Sequence, residues 1–368
     1  MNHAKRIRAL SAEIRKAGLA VLLVATHESD SKNVFYLSGF SGTTGLLAVT
    51  PQGATLAVDG RYIARAKREA KAVRIVPVPS PSKEGRLVAH IHAVFEALRI
   101  PARARVGFEG ERIGVLIASS WQKRFRQRFV PIRGIVERLR GVKDADEIRL
   151  IASGCRSTSR AFNDIVHRVH AGMREREVAN LIESALKERG ALAPSFETIV
   201  ASGPNSAIPH HATGNRRLRA GEPVIVDFGG IFPGGYVSDM TRTLFVRGKK
   251  PSTKFVEIYR IVLEANRRSA RALRPGMTWK EYDAVARAYI KEQGYGEYFL
   301  HGLGHSLGLE VHDPYDYREI PIRAGTVLTD EPGIYLPGEG GVRIEDDLVV
   351  TAHGARLLTS GAYNPVQN

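Results

Sequence analysis

Two stretches of this chain set acidic residues inside or at the ends of apolar, strand-like runs. In the first, Ile225-Val-Asp227-Phe-Gly-Gly230 is answered twelve positions later by Ser238-Asp239-Met-Thr-Arg-Thr243. In the second, Leu328-Thr-Asp-Glu331-Pro-Gly-Ile-Tyr335 is answered fourteen positions after Glu331 by Glu345 in Gly341-Val-Arg343-Ile-Glu345-Asp346. A carboxylate at the end of a buried strand is costly unless paired. Two on one hairpin repel each other unless a cation lies between them. This restricts the fold to one in which the strands converge on shared positive charge, and two divalent ions would offset four carboxylates.

Glycine-rich turns, Gly229-Gly230 to Gly234-Gly235 and Gly338 to Gly340-Gly341, make each pair a hairpin candidate. The expected strand pairs are 224–228 with 241–246, and 327–331 with 343–350. A nitrogen donor is available from His301-Gly-Leu-Gly-His305-Ser-Leu-Gly-Leu-Glu-Val-His312-Asp313. This segment holds three of the 12 histidines. Glycines 302, 304 and 308 would let its backbone approach something closely. Alone it also reads as a glycine-rich turn with incidental histidines; beside four strand-borne carboxylates it reads as part of a metal centre. Oxygen-rich ligands with one imidazole suit manganese, iron or cobalt, with zinc still open. Two such ions ~3.5–4 Å apart lower the pKa of a bridging water toward neutrality. A further pair, His210-His211 after Pro209, falls in a loop and by itself reads as solvated surface.

At 368 residues the chain has room for two domains. Up to about residue 135, strand-like runs (21–25, 46–50, 55–58, 73–78) alternate with amphipathic helical patterns (61–71, 85–98), which predicts an α/β layer domain. A polar, charged stretch at 137–147 marks a boundary, giving domains 1–137 and 138–368. Beyond it, helices over 145–171 and 175–190 precede the first strand pair, and helices over 252–274 and 279–293 precede the second. Helices followed by strand pairs, twice over, predict an α+β domain of two related halves.

No apolar run approaches the ~18–20 residues of a membrane helix. The basic head and short apolar run of 1–25 superficially resemble a signal peptide. Ile7, Leu10 and Ile14 at helical spacing, then Gly18, then 21–25, read instead as a helix and a buried strand. The single cysteine, Cys155, excludes an internal disulfide and a cysteine-rich zinc module. It fits a cytoplasmic location, and its helical setting argues against a nucleophile. Lys and Arg exceed Asp and Glu by 54 to 38, a net charge of +16, which permits non-specific contact with anionic surfaces. The densest basic run, 121–133, has Phe125 and Phe129 at i, i+4 and is expected to be an amphipathic helix with a solvated arginine face. No RNA-binding motif or zinc finger supports specific nucleic-acid binding.

In order along the chain, Ser202-Gly203, Ser206-Ala-Ile-Pro-His210, Asp227-Phe-Gly-Gly, Ser238-Asp239-Met-Thr-Arg-Thr, His301-Gly-Leu-Gly-His305, Val311-His312-Asp, Glu331-Pro-Gly-Ile-Tyr and Gly341-Val-Arg343-Ile-Glu345-Asp resemble the pita-bread metallopeptidases. The match is closer to the Xaa-Pro peptidases (aminopeptidase P and prolidase) than to methionine aminopeptidase. Tyr36-Leu-Ser-Gly-Phe-Ser-Gly and Asp59-Gly-Arg-Tyr62 resemble the creatinase-type N-terminal domain of that family. The resemblance implies an α/β creatinase-like domain followed by an α+β pita-bread catalytic domain with pseudo-two-fold halves. It further implies two divalent ions, Mn2+ foremost with Co2+, Fe2+ or Zn2+ as alternatives, and hydrolysis of the bond preceding proline in peptides. Asp227 would hold one ion, Asp239 and Glu345 would bridge both, and His305 and Glu331 would hold the second. His210 and His312 would bind the scissile region and steady the tetrahedral intermediate. Glu331 would also relay a proton to the leaving nitrogen, and His301 and Arg343 would support the ligands from behind. A homodimer is a family expectation, with no membrane partner.

Three departures stand out. His211 occupies a position where the family usually has glycine. Asp330 places extra negative charge beside Glu331. The arginine that some prolidases use to bind the dipeptide carboxylate is displaced or absent in Asp313-Pro-Tyr-Asp-Tyr-Arg318. Competing readings are a non-hydrolytic relative acting as a binding or scaffold protein, and creatinase, which works without metal; both typically have substituted ligand positions, which are filled here.

Overall fold

A computed structural model of the chain describes residues 1–26, 32–79, 86–314 and 320–361. The chain divides into two compact units, Met1–Arg140 and Gly141–Asn368.

The first unit is α/β. Its helices are α1 (His3–Lys16), α2 (Lys32–Ser38), α3 (Ile63–Glu69), α4 (Arg86–Leu98), α5 (Val115–Arg124) and α6 (Glu137–Arg140). Its strands are β1 (Val21–Ala25), β2 (Leu46–Thr50), β3 (Gly53–Asp59), β4 (Arg74–Val78), β5 (Arg105–Glu109) and β6 (Arg128–Ile132). They form one six-stranded mixed sheet in the order β4-β3-β2-β1-β5-β6. The helix-then-strand reading of the first 25 residues holds: α1 buries Ile7, Leu10 and Ile14, Gly18 takes φ +63°, and β1 is buried throughout. In the string Asp59-Gly-Arg-Tyr62, Arg61 clamps Asp59 through Nε at 3.1 Å and Nη2 at 2.8 Å.

The basic run over 121–133 is not one helix. Helix α5 ends at Arg124, and 128–132 form the edge strand β6, parallel to β5. Pro131 lacks an N–H, which an edge strand tolerates and a helix interior does not. Phe125 and Phe129 still meet, with ring centroids 5.8 Å apart, beside Phe95 and Trp121. Aromatic packing, rather than helical periodicity, explains their spacing.

Glu109, at the end of β5, is buried; it accepts from Asn33 Nδ2 at 2.5 Å and from the Ala25 amide at 3.3 Å. Burial pushes its carboxyl up to about 8, against the opposing pull of the Asn33 amide. The folded chain therefore keeps a proton that the unfolded chain releases above its ordinary value of 4.5. Stability contributed by this site falls as pH rises from there toward 8, by at most ~1.4 kcal/mol per pH unit. Glu109→Gln is expected to melt like the wild type at pH 5 and higher than it at pH 8. Equal melting differences at both pH values would refute this.

The second unit opens with α7 (Ala145–Ile165) and α8 (Glu175–Glu188). Asp144 caps α7 in a reciprocal box with Glu147. The helix expected over 145–171 stops at Ile165, followed by one 3-10 turn, Val166–Arg168. Next come β7 (Ala193–Pro194), β8 (Ile199–Ser202), β9 (Pro223–Phe228), β10 (Gly230–Ile231) and β11 (Met240–Phe245). Then follow α9 (Thr253–Ala272), α10 (Trp279–Glu292), β12 (Val327–Asp330), β13 (Gly333–Leu336), β14 (Gly340–Arg343), β15 (Asp346–Val350) and β16 (Ala355–Leu357). The two halves repeat one plan. Phe162, Val178 and Ile182 of α7 and α8 pack on Val224, Val226 and Phe228 of β9. Ile258, Val262, Tyr282 and Ala286 of α9 and α10 pack on Leu328, Leu348 and Val350. Each half thus buries one face of its strands under helices and leaves the other face for different use. Among the described residues, no helix is long and apolar enough to cross a membrane.

Candidate metal centre

Strands β9 and β11 pair antiparallel as expected, with Asp227 opposite Thr241. Asp239 lies two residues before Thr241, so period-two alternation puts both carboxylates on one face, away from α7 and α8. The second pair needs correction. Residues 327–331 and 343–350 do not form one unbroken ladder: β12 pairs with β15 and β13 with β14, with a break between. Asp330 lies opposite Asp346 and Gly333 opposite Arg343, so the register runs through the break and sets Glu331 opposite Glu345. Pro332 has no N–H to continue the ladder. Both acids turn their amides elsewhere: Glu331 N to Leu303 O at 2.8 Å, Glu345 N to Thr241 O at 3.0 Å. The break joins the two halves, because Glu345 thereby hydrogen-bonds to β11.

His305 arrives along the same edge. Thr329 N donates to its carbonyl at 2.8 Å, and its own N–H reaches Thr329 Oγ1 at 2.9 Å. Gly304 permits this approach, since a Cβ there would lie 2.3 Å from Thr329 O. A Cβ on Gly308 would lie 2.7 Å from the Asp313 carboxyl, whereas one on Gly302 would meet open space, so the close-approach expectation holds for only two of the three glycines.

Asp239, His305 and Glu345 present ligand atoms that all lie within 4.8 Å of one another. His305 Nε2 is 3.7 Å from Asp239 Oδ2 and 3.5 Å from Glu331 Oε1. Asp227 Oδ2 is held by Arg343 Nη2 at 2.6 Å, and Glu345 Oε2 by Thr241 Oγ1 at 2.6 Å. Asp239 Oδ1 is buried with no hydrogen-bond partner. Burial, then the neighbouring acids, push Asp239 and Glu345 well above the usual carboxylate range. Burial lifts Glu331 to about 8. Burial also pushes His305 down to about 4, so it is neutral and can offer a lone pair. Four converging carboxylates, a neutral imidazole and an unpartnered oxygen fit divalent cations.

The nine residues given a ligand, catalytic or supporting role in the sequence all line one cavity of about 810 Å³. The His305 and His312 rings sit 4.0 Å apart, and burial lowers His312 as well. His301 Nε2 and Arg343 Nη1 meet the Tyr335 hydroxyl at 2.8 and 3.0 Å, linking His301 to Asp227 through Tyr335 and Arg343.

Asp330 does not add charge to the centre. Alternation turns it toward α9, where Ser269 Oγ lies 2.8 and 2.9 Å from its two oxygens. Burial pushes its carboxyl well above the usual range, against the opposing Ser269 hydroxyl. His211 pairs with Glu175, with Nε2 at 3.0 Å from Oε2. Arg318 and its neighbours 315–319 lie outside the described residues. Cys155 is fully buried, its thiol pushed up by burial and then by Asp347, and its Sγ donates to Asp347 at 3.1 Å.

Several contributors carried no readable signal. Asp347 accepts the Asp239 amide at 3.0 Å, and buried Arg242 reaches Asp346 at 2.7 Å and the Glu345 carbonyl at 2.6 Å. Tyr335, Arg242 and Asp346 stood inside the motif strings without a role; Glu175 and Lys143 were outside them.

The family model for metallopeptidase family M24 matches residues 149–352, and that for the creatinase/prolidase N-terminal domain matches 6–142. The chain is 39% identical over 331 residues to an Xaa-Pro dipeptidase of Pyrococcus furiosus, covering 89% of this chain and 90% of that one. The solved structure of an Xaa-Pro dipeptidase from Bacillus anthracis superposes with a TM-score of 0.90 at 35% identity, covering 98% of each chain. That of an X-Pro aminopeptidase from Thermotoga maritima gives 0.85 at 34%, covering 96% of this chain and 99% of that one.

Proposed function

Because the chain belongs to metallopeptidase family M24, with a creatinase N-terminal domain ahead of a pita-bread catalytic domain, we propose that it hydrolyses the peptide bond preceding proline. The observation that carries this reading is the meeting of Asp227, Asp239, His305, Glu331 and Glu345 in one cavity that His210 and His312 also line. The five acidic and imidazole side chains would hold two divalent ions, with Mn2+ the first to test. Such ions supply a water acidic enough to ionise near neutral pH and a Lewis acid for the carbonyl.

The chain's own groups do the rest. His312, neutral at pH 7, donates an N–H toward the carbonyl oxygen as charge develops there. His210, on the cavity wall, holds the scissile segment. Glu331, ionised beside the cations it would help to hold, would accept a proton and return it to the leaving nitrogen. Arg343 and Tyr335 hold Asp227 and His301 in register from behind. Proline offers no N–H, so a peptidase that grips that donor fails on this bond; a cavity that positions the carbonyl and nitrogen by histidines needs none.

Relatives named as dipeptidase and as aminopeptidase both match along nearly the whole chain. The test therefore compares Xaa-Pro dipeptides with Xaa-Pro-Yaa tripeptides after manganese loading. Release of the residue before proline supports the reading, and the dipeptide-to-tripeptide ratio assigns the substrate length. A protein that binds two ions yet cuts neither would overturn the substrate, and one that binds none would overturn the centre.

A further inference from the structure

Outside the cation cluster, one buried carboxylate has more described hydrogen-bond donors than the proposed ligands themselves. Glu175, the first residue of α8, is fully buried. Its Oε1 accepts from Ser202 N at 2.9 Å, Ser202 Oγ at 2.8 Å and Asn205 Nδ2 at 2.9 Å. Its Oε2 accepts from Gly214 N at 3.2 Å and meets His211 Nε2 at 3.0 Å. Burial alone would raise this acid, but these donors, His211 first among them, outweigh it and hold the carboxyl below its usual range. An ionised group so placed cannot be exchanged for a neutral one without leaving donors unmet.

The five donors come from both arms of the loop 202–214, and His210 stands between them. The opposite side of the loop is tied by Arg343 Nη1 to Pro209 O at 3.3 Å and by Gly341 N to Ser206 Oγ at 2.8 Å. His210 itself makes no described hydrogen bond and lines the cavity. Its side chain is exposed, so its place on the wall follows its backbone, which Glu175 gathers through Asn205, His211 and Gly214 and Arg343 holds at Pro209.

We propose that Glu175 is a positioning residue for His210: it closes the loop 202–214 around one buried carboxylate and acts on peptide hydrolysis through that histidine alone. The inference rests on the peptidase reading for its kinetic consequence, not for its geometry. A displacement near 1 Å costs on the order of a hundredfold in rate.

The experiment is a double-mutant cycle on the manganese-loaded protein with E175Q, H210A and the double variant. E175Q is expected to lower kcat roughly ten- to a hundredfold, with KM little changed and bound metal at the wild-type level. In the H210A background, the same change is expected to alter kcat by less than about twofold. An equal loss in both backgrounds would show a general structural role and overturn the proposal, as would an unchanged kcat. Should E175Q not fold, N205A removes one donor and keeps the carboxylate; a smaller loss, again absent with H210A, is expected, and the same outcomes overturn it. Histidine ring NMR gives a readout that needs no turnover. The His210 signal, assigned by its disappearance in H210A, is expected to move in E175Q or N205A while that of His167 stays. If the wild type cuts no Xaa-Pro peptide, the functional reading fails while this signal still decides the inference. An unmoved His210 overturns it.

Discussion

Asp239→Asn is expected to abolish peptide hydrolysis, by at least ~10³-fold in kcat/KM, and to make the metal-free protein more stable. Both effects come from one geometry. Asp239 is buried, its Oδ1 has no partner, and its Oδ2 lies 3.7 Å from His305 Nε2. Without cations it is pushed far above its ordinary range by burial, then by Glu345, Asp227, Asp347 and Glu331. The sign follows from linkage. The folded state holds the proton more tightly than the unfolded chain, so above the ordinary value of 3.8 each rise in pH costs the metal-free fold stability. Cations reverse that cost by making the ionised form the favoured one. The asparagine variant keeps the amide that donates to Asp347 Oδ2 at 3.0 Å, and removes the charge. Thermal melts with chelator at pH 8 should place the variant above the wild type; melts with manganese should reverse the order. Metal analysis should show the loss of bound ions. A variant that retains both ions, or melts below the wild type in chelator, would refute the shared-charge account of this centre.

What the sequence made legible follows from range. The pairing of 224–228 with 241–246 and the convergence of Asp227 and Asp239 rest on apolar alternation and a glycine-rich turn, both local. The second pair was legible as a pairing but not as a broken ladder. The break depends on Glu345 N leaving its strand for Thr241 O, a contact between segments more than 100 positions apart. Asp330 misled because adjacent acids look alike in one dimension, while alternation sends Glu331 to the carboxylate cluster and Asp330 to Ser269. The run over 121–133 misled for a related reason: Phe125 and Phe129 at i, i+4 fit a helix, but also fit a helix end and an edge strand meeting over Trp121. Glu175 was invisible because an acid in the first turn of a helix usually needs no explanation beyond the helix dipole. Only the folded chain shows that its carboxylate faces inward.

Lys143→Met illustrates the least legible layer and carries the largest expected cost to folding. Lys143 Nζ lies 3.2 Å from Asp313 Oδ2 and 3.2 Å from Ser306 Oγ, with side chains 1% and 2% exposed for the ion pair. The Lys143 amide donates to Gly325 O at 2.9 Å, so the lysine is fixed at both ends. Asp313 in turn gathers the segment after His305: its Oδ1 accepts from Leu309 N at 3.1 Å and Glu310 N at 3.3 Å, and its amide donates to Ser306 O at 2.9 Å. His305 and His312 thus sit on a stretch folded around one carboxylate whose countercharge lies 170 positions earlier. Methionine matches the length of lysine and removes the ammonium, leaving Asp313 buried without it. Breaking such a pair from one side costs up to about 3–5 kcal/mol, because a buried charge loses one of its partners. In a unit of this size that corresponds to a fall in melting temperature on the order of 10 °C. The double variant Lys143→Met/Asp313→Asn removes both charges and keeps one acceptor for the Leu309 and Glu310 amides. It should recover part of the loss, because the pair itself contributes little beyond its own desolvation. Denaturant unfolding of the three proteins measures this. A single variant within ~1 kcal/mol of the wild type, or a double variant less stable than the single, would show that the ammonium does not hold the segment carrying His305 and His312.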